Sequence, residues 1–491
     1  MNSIKTKEMT NFRWVMCALL FVATTVNYLD RQVLSLTWKD FIAPEFHWTD
    51  DNYGTITAVF SIVYAACMLF AGKFVDFMGT KKGYLWAIGV WSAGAVAHAL
   101  CGWLTMHFEG YASVADMAAV QTGSAAALLI ATTSVWLFVA ARCVLALGEA
   151  GNFPAAIKVT AEYFPKKDRA FATSIFNAGA SVGALAAPAT IPLLAQYFKD
   201  AGIGGGWEMA FVIIGGLGFI WMGFWVFLYD QPEKSKHVNS AELTYIHQDD
   251  DEPVAKTDAE EKKEIQIPFW SCFKYRQTWS FITGKFFTDG VWWFYLFWAP
   301  AYFSDQYGYK SSSSEAIMLI FTLYAIVTVL SIYGGYLPKL FVEKKGMNPY
   351  GGRMLSMLIF AFFPLLALFA QPLGAISAWW PAIIIGLAGA GHQAWSANLF
   401  STIGDMFPKS TIATITGIGA MAGGLGSMLI NKCSGKLFTF AEQQGADFTF
   451  FGFEGKPAGY MIVFCICAIA YIIGWTIMKV LVPKYKPIVV E

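Results

Sequence analysis

Two oppositely charged residues, Asp30 and Arg31, are adjacent near the end of an apolar run that opens at Trp14. On membrane-insertion scales, an ionised residue in the middle of a helix costs about 2.5–3.5 kcal/mol, so the two together cost about 5–7 kcal/mol. Successive helical residues point about 100° apart, so these side chains cannot simply neutralise each other. Each of them therefore needs a partner on another helix or a water-filled cavity.

A later apolar run, ARCVLALGEAGNFP, contains Arg142 and Glu149. Their spacing of seven residues places them on one helical face, about 10 Å apart along the axis. Ionisable residues inside membrane helices line substrate and ion paths by default, and we interpret these residues with Asp30 and Arg31 in that way. A buried ion-pair network that fixes the two helices together is the alternative, although buried pairs are weak stabilisers.

A third charged set, Lys285 and Asp289, forms an i,i+4 pair in the run GKFFTDGVWWFYLFWAP. The pair is open to two interpretations, because Lys285 is about two turns from the end of the run and can extend to the membrane surface. The aromatic residues that follow mostly predict packing, but a ring or two facing a cavity can stack on a sugar. Trp293 is the ring that we assign to the cavity.

The composition of the chain is that of a membrane protein. Of 491 residues, 56% are hydrophobic and 14% are charged, whereas a soluble domain has roughly 25% charged residues. Apolar runs close to the roughly 20 residues that span a bilayer recur throughout, and no alternating barrel strands occur. We predict an all-α polytopic membrane protein with twelve transmembrane helices. The predicted spans are 13–37, 53–75, 84–105, 130–157, 169–197, 207–229, 277–303, 314–341, 353–371, 377–404, 411–435 and 457–482.

The distribution of basic residues predicts the orientation. With the N-terminus inside, most Lys and Arg fall in cytoplasmic segments, so the positive-inside rule predicts that both termini are cytoplasmic. The basic residues that remain outside are Lys39, Lys199, Lys310, Lys432, Lys436 and Lys456. The absence of an N-x-[ST] acceptor fits a bacterial inner membrane. The polar segment 230–268 predicts a cytoplasmic linker between an N-terminal six-helix bundle, 1–229, and a C-terminal bundle, 269–491.

An internal repeat supports two halves of equal design. FPKKDRAFATSIFNAGASVG at 164–183 aligns without gaps with FPKSTIATITGIGAMAGGLG at 407–426, and the same offset pairs Glu149 with His392. Chance similarity between Gly- and Ala-rich helices is the alternative. Parallel six-helix repeats are the plan of major facilitator transporters, whose substrate site lies between the halves near the midplane. In that plan, Glu149 and His392 face the cavity at similar depth.

The loop GKFVDFMGTKK resembles the major facilitator signature GxxxDxxGxxx followed by basic residues. Gly72, Asp76, Gly79 and Lys81 stand at the expected positions. Glycine permits close helix approach and a tight turn, and Asp76 is predicted to pair with basic groups across a cytoplasmic gate. An ordinary basic loop on the cytoplasmic side is the alternative.

The chain as a whole resembles the hexuronate transporters of the anion:cation symporter family within the major facilitator superfamily. The motifs that carry this resemblance are NYLDR, the loop above, AR followed by GEA, FPKKDRA, FNAGASVGA, KFFTDGVWWFYLFWAP, GGYLPKLF and GHQAWS. The resemblance implies uptake of a sugar-acid anion with protons by alternating access. Ala180 and Ala420 stand where galactonate-type relatives have Gln and Asn, which favours a hexuronate such as glucuronate or galacturonate. The outer segments 106–127 and 438–456 are longer than the family pattern.

The resemblance also implies residue roles. Asp30 and Glu149 would be the protonatable pair, modulated by Arg142, and Arg31 would bind the substrate carboxylate. A guanidinium fork suits a carboxylate in a cavity of low dielectric. Unprotonated Asp30 would compete for Arg31, so we expect protonation of both carboxylates to precede substrate binding. The other substrate-binding residues would be Tyr28, Tyr64, Asn177, Ser181, His392, Gln393 and Ser396.

Several rival functions remain open from the sequence. An aldonate symporter or an organic-phosphate antiporter would also use cavity arginines, although the antiporter would not need two carboxylates. A neutral-sugar symporter would need the carboxylates but not Arg31. A membrane enzyme or receptor would leave the repeat unexplained, and no metal-binding or nucleophile pattern occurs. We therefore expect no enzymatic activity, no cofactor, no metal and no nucleic-acid partner, and a monomer in the lipid bilayer.

Overall fold

Twelve long helices form the protein in the computed structural model, which describes residues 9–248, 267–331 and 336–488. The helices are labelled in chain order: α1 Arg13–Thr37, α2 Asp50–Met78, α3 Thr80–Glu109, α4 Ala125–Glu149, α5 Lys166–Asp200, α6 Trp207–Leu228, α7 Arg276–Tyr307, α8 Ser314–Ser331, α9 Pro349–Leu365, α10 Trp379–Met406, α11 Lys409–Gln444 and α12 Lys456–Leu481. All twelve predicted spans overlap these helices. Some ends differ: α4 begins and ends earlier than predicted, and α11 continues well beyond its predicted end at residue 435.

Shorter elements connect the long helices at the two ends of the bundle. The end that carries both described chain termini is called the terminal side, and the opposite end is called the far side. The short elements at the terminal side are Asn152–Tyr163, Pro232–Lys234, Ser240–Ile246, Phe269–Lys274 and Tyr336–Lys345. Those at the far side are Trp38–Ile42, Ala43–Phe46, Val114–Ala118, Leu366–Phe369, Ala370–Gly374, Gly445–Asp447 and an antiparallel hairpin of β1, Thr449–Phe450, and β2, Phe453–Glu454.

Helix packing repeats between the two halves of the chain. The contacts α1–α5, α1–α6, α2–α4, α3–α4, α3–α6 and α5–α6 recur as α7–α11, α7–α12, α8–α10, α9–α10, α9–α12 and α11–α12. The two halves meet through α2–α11, which is the most extensive helix contact in the described chain, and through α5–α8 and α1–α7. The predicted fold class, two pseudo-symmetric bundles of six helices, is therefore confirmed.

Four of the long helices are less apolar than the others, and three of these four lie at the contact between the halves. Among the described residues, eight helices are long and apolar enough to cross a membrane by length and composition alone. The four other long helices are α1, α7, α10 and α11, and α1 and α7 carry the charged pairs Asp30–Arg31 and Lys285–Asp289. Because α1 meets α7 and α11 meets α2 across the interface, neighbouring helices and not lipid surround much of their polar surface.

Two glycines shape the N-terminal half of the bundle. Gly79 has a φ of 75° and allows a tight turn between α2 and α3. A Cβ added at Gly148 would lie 2.2 Å from the backbone nitrogen of Trp91, so α4 packs directly on α3 only because this residue is glycine. The neighbouring Glu149 is thereby held at a fixed depth in the bundle.

The segment 230–268, predicted as a linker, is folded in its first part. Helix Ser240–Ile246 presents Glu242, whose carboxylate accepts hydrogen bonds from the backbone N–H groups of Phe12 at 2.9 Å and Arg13 at 3.0 Å. This carboxylate therefore caps the start of α1. Residues 249–266 lie outside the described part of the chain.

Candidate functional site

An ion pair between α1 and α4 lies at the centre of the candidate site. Nε and Nη2 of Arg31 both donate to Oε2 of Glu149, at 3.0 and 2.8 Å. The side chains are 6% and 0% exposed, and the second carboxylate oxygen, Oε1, has no hydrogen-bond partner in the described chain. The partner of Arg31 is thus on the fourth helix, where the sequence predicted it.

Three aromatic rings surround the Arg31 guanidinium. Its Cζ lies 5.2 Å from the ring centroid of Tyr28, 4.7 Å from that of Tyr64 and 5.3 Å from that of Trp293. A cation–π contact of this kind contributes about 0.5–2 kcal/mol. Because Trp293 is on α7 and the other groups are on α1, α2 and α4, Arg31 lies at the contact between the two halves. We call Arg31, Glu149 and the three rings the Arg31 cluster.

Asp30 and Arg142 are buried near this ion pair but take no part in it. Asp30 is 1% exposed, and neither of its carboxylate oxygens has a hydrogen-bond partner among the described residues. Arg142 donates from Nη2 to the Arg31 carbonyl oxygen at 3.3 Å and lies over the ring of Phe60 at 5.0 Å. In this conformation the Asp30 carboxylate does not bind Arg31, and competition between them stays a prediction. Glu149 binds the guanidinium instead, because adjacent residues on a helix point in different directions.

Several other buried polar atoms near Asp30 also lack partners in the described part of the chain. They include side-chain atoms of Asn27 and Gln32 on α1 and of Trp91 and Ser92 on α3. An unsatisfied buried polar group costs about 1–3 kcal/mol, so a cluster of them is chemically suited to binding water and passing protons. The sequence did not predict these four residues as part of the site, although Asn27 and Gln32 lie within three positions of Asp30.

His392 packs within the second half. Its ring stacks on Trp292 with 5.4 Å between centroids, and its Nδ1 shares a 2.7 Å hydrogen bond with the hydroxyl of Tyr471 on α12. No hydrogen bond or ion pair among the described residues joins it to Glu149 or Arg31. The repeat places Glu149 and His392 on equivalent helices, but the aromatic neighbours on α7 and α12 hold the imidazole away from the Arg31 cluster.

The remaining predicted substrate-binding residues lie on two helices. On α5, Asn177 is exposed and Ser181 is half-buried, while Gln393 and Ser396 on α10 are both half-buried. Their side chains make no hydrogen bond to the Arg31 cluster within the residues described. The conformation therefore groups Tyr28, Tyr64 and Trp293 around Arg31, but it does not bring the four polyol-binding candidates to it.

The signature loop is tied to its own half. Asp76 pairs with Lys158 at 2.8 Å, and Lys81 pairs with Asp230 at 2.8 Å. In this conformation Asp76 pairs within its own half, because the segment Asn152–Tyr163 that follows α4 passes beside the end of α2. Pairing across the gate stays a prediction. Gly72 has no atom within 4 Å of an added Cβ, so it provides no close helix approach.

A cluster of four charged residues joins the halves at the far side. Lys39 lies 3.2 Å from Asp50 and 2.9 Å from Asp305, and Lys456 lies 2.5 Å from Asp50 and 2.8 Å from Asp305. Asp50 and Asp305 are 1% and 8% exposed. We call these four residues the far-side cluster. The sequence predicts the two lysines only as outer charges. The signal for the cluster is the presence of opposite charges at the same ends of four predicted helices.

Further polar contacts close the same end. Lys432 pairs with Asp51 at 2.5 Å, and Asp40 accepts hydrogen bonds from the Ser304 hydroxyl at 3.1 Å and from the Ser311 backbone at 2.6 Å. Within the described ranges, every ion pair between the halves lies at the far side. In this conformation the far side is therefore closed by polar contacts between the two halves.

Twelve helices in two equivalent halves, with charged residues at their contact, define the architecture of a secondary membrane transporter. Residues 20–430 match the model of the Major Facilitator Superfamily, and the chain belongs to this family. Members of this family are transporters and not enzymes, and the chain is a multi-pass membrane protein.

Known proteins resemble the chain over most of its length. It is 27% identical over 481 residues to the hexuronate transporter of Escherichia coli strain K12, covering 96% of this chain and 95% of that protein. It is 26% identical to the galacturonate transporter of Dickeya chrysanthemi, covering 75% and 95%. A crystal structure of a bacterial homologue of the human lysosomal transporter Spinster, inward-facing and occupied, has a TM-score of 0.66 at 17% identity, covering 96% and 97%. The D-xylose-proton symporter has a TM-score of 0.62 at 15% identity, covering 95% and 96%.

Proposed function

We propose that this protein is a proton-coupled symporter of a hexuronate, such as galacturonate or glucuronate, in a bacterial inner membrane with both termini in the cytoplasm. The observation that carries the proposal is the Arg31–Glu149 ion pair inside an aromatic cage at the contact between the halves. The names of the similar proteins, a hexuronate and a galacturonate transporter, support the substrate class.

Competition for Arg31 couples the substrate to the proton. Glu149 occupies two donors of the guanidinium, Nε and Nη2, and a substrate carboxylate needs two such parallel donors. Protonation of Glu149 removes its charge and releases Arg31. Because each event favours the other, proton binding and substrate binding promote one another, and Asp30 beside Arg142 provides a second protonatable carboxylate.

Charge balance explains why the carrier moves only when empty or fully loaded. In the empty state Arg31 is neutralised by Glu149, and in the loaded state it is neutralised by the substrate while Glu149 is protonated. A carrier with substrate and unprotonated Glu149 would hold an uncompensated buried charge, which opposes occlusion. Trp293 links substrate binding at Arg31 to the second half, because its ring contacts the Arg31 guanidinium from α7.

Alternating access then follows from the two equivalent halves. The far-side cluster holds one end of the bundle closed, and in the proposed orientation this is the periplasmic end. Rocking of the halves would break that cluster and bring the terminal-side ends of the helices together. The boundaries 1–229, 230–268 and 269–491 describe the moving units and their linker in this proposal.

Counterflow in proteoliposomes tests the function. Purified protein is reconstituted with internal unlabelled galacturonate, and entry of external labelled galacturonate is measured against protein-free vesicles. We expect galacturonate and glucuronate to exchange, galactonate to exchange poorly, and a sugar phosphate not to exchange. An inside-alkaline pH gradient without internal substrate should drive accumulation. Exchange of a sugar phosphate without any response to the pH gradient would contradict the symporter and favour an antiporter.

A further inference from the structure

A second buried ion pair in the membrane-spanning region is not used by the mechanism above. Lys285 and Asp289 on α7 lie 2.5 Å apart from Nζ to Oδ2, and their side chains are 8% and 13% exposed. The Lys285 ammonium also lies 4.7 Å from the ring centroid of Phe400 on α10. The lysine is therefore held inside the second half by its partner carboxylate and does not extend to the membrane surface.

The pair lies on the face of α7 that reaches the Arg31 site. Asp289 is four residues before Trp293, so the two side chains occupy the same helical face about one turn, or roughly 5–6 Å, apart. Trp293 in turn contacts the Arg31 guanidinium at 5.3 Å. Asp289 and Lys285 thus lie beside the Arg31 site, one and two helical turns along α7 from Trp293.

Helix α11 leaves space for the Asp289 carboxylate. A Cβ added at Gly423 would lie 2.3 Å from Oδ2 of Asp289, so the absence of a side chain there allows the carboxylate its position. Lys285 is its ion-pair partner, and Asp289 stays half-buried. An ionised carboxylate with free acceptor capacity binds vicinal sugar hydroxyls well, whereas it repels a second carboxylate.

We propose that Asp289, positioned by Lys285, forms a subsite for the hydroxyl end of the substrate and excludes sugar dicarboxylates. The inference rests on the proposed function, because it takes the substrate carboxylate to lie at Arg31. A hexuronate then places its anomeric hydroxyl toward Asp289. A hexarate of the same length would place its second carboxylate there, against a negative charge.

Substitution at Asp289 should change the preference between galactarate and galacturonate by an amount that depends on whether Lys285 is still present. Asp289→Asn removes the repulsion and leaves Lys285 as an unpaired cation, which attracts a second carboxylate. The double variant Lys285→Gln with Asp289→Asn removes both charges, so it removes the repulsion without adding the attraction. The preference for galactarate over galacturonate should therefore increase from wild type to the double variant and again to Asp289→Asn.

The measurement is inhibition of labelled galacturonate counterflow by unlabelled galactarate and galacturonate. In both variants galacturonate affinity should fall about tenfold, since a hydrogen bond to a charged group is lost. In Asp289→Asn the galactarate-to-galacturonate affinity ratio should rise by at least tenfold. If the unpaired lysine prevents folding of that variant, the double variant, which buries no net charge, still reports the loss of repulsion.

Three results would overturn the inference. One is an unchanged galactarate-to-galacturonate affinity ratio in the double variant. Another is an equal rise of this ratio in both variants, which would exclude a role of Lys285. The third is a wild-type protein that accepts galactarate as readily as galacturonate. If wild type exchanges no sugar acid at all, the proposed function itself fails, whereas normal galacturonate exchange with unchanged selectivity in both variants rejects only the subsite.

Discussion

The guanidinium of Arg31 is bound by a carboxylate from one helix and by aromatic rings from three. The sequence identified Arg31 and Glu149 because charges are conspicuous in apolar runs. It did not predict which carboxylate binds Arg31, because that depends on the direction of each side chain and on the close packing of α4 against α3 at Gly148. The sequence also did not predict that the neighbouring Asp30 carboxylate has no hydrogen-bond partner among the described residues. Adjacent side chains on a helix point in different directions, so they do not share neighbours.

Arg31→Lys should weaken galacturonate binding at least tenfold. An ammonium cannot replace the two parallel donors of a guanidinium, and hydrogen bonds to charged groups contribute about 1.5–3 kcal/mol. The concentration of galacturonate that gives half-maximal counterflow measures the effect. Arg276→Lys, at the start of α7 and away from the site, is the matched control and should retain wild-type affinity. Unchanged affinity in Arg31→Lys would remove this residue as the carboxylate-binding group.

At the scale of elements, apolar runs predicted all twelve long helices, but composition did not reveal how the polar segments dock. Helix Ser240–Ile246 lies in the segment predicted as a linker, yet its Glu242 is fully buried and caps α1. Burial alone raises the pKa of Glu242, but hydrogen bonds from Thr10, Arg13 and Phe12 outweigh it and hold the pKa below its usual value. Such a cap depends on tertiary contacts between residues more than two hundred positions apart. The hydrophobic pattern within a segment cannot predict contacts of this kind.

Glu242→Gln should lower the thermal stability of the first half, by about 1–2 kcal/mol in the free energy of unfolding. The depressed pKa means that the wild-type contribution is complete above the unfolded pKa of about 4.3 and is lost as the pH falls through the folded pKa. Thermal unfolding of the detergent-solubilised protein at pH 7 measures the loss. Glu233→Gln, which removes an exposed contact with His247, is the control and should change little. Equal stabilities of the two variants would contradict the capping role.

At the scale of the whole molecule, the internal repeat in the sequence predicted the two equivalent bundles, and the repeated helix contacts confirm them. The contacts that lock one end were not predictable from either half alone. Lys39, Lys432 and Lys456 lie at the far side, and each forms an ion pair with the opposite half. These charges therefore act between the bundles, and the pattern within one helix cannot predict their partners.

Lys456→Gln should shift the protein toward a conformation that is open at the far side. The substitution leaves Asp50 and Asp305 with one lysine between them, and breaking a buried ion pair typically costs 3–5 kcal/mol in the state that contains it. Electron paramagnetic resonance distances between labels at Pro44→Cys and Gln443→Cys, in a cysteine-free background, should gain a longer component. Lys436→Gln, an exposed lysine of the same end, should leave the distances as in wild type. Identical distributions in both variants would show that the far-side cluster does not control closure.

The most direct test of the account concerns Glu149, because its competition with the substrate for Arg31 is the proposed link between the proton and the sugar acid. Glu149→Gln mimics the protonated carboxyl, so proteoliposomes with this variant should exchange internal for external galacturonate but fail to accumulate it under a pH gradient. Glu315→Gln, an exposed far-side substitution, should accumulate galacturonate as wild type does. Full gradient-driven accumulation by Glu149→Gln would contradict the account.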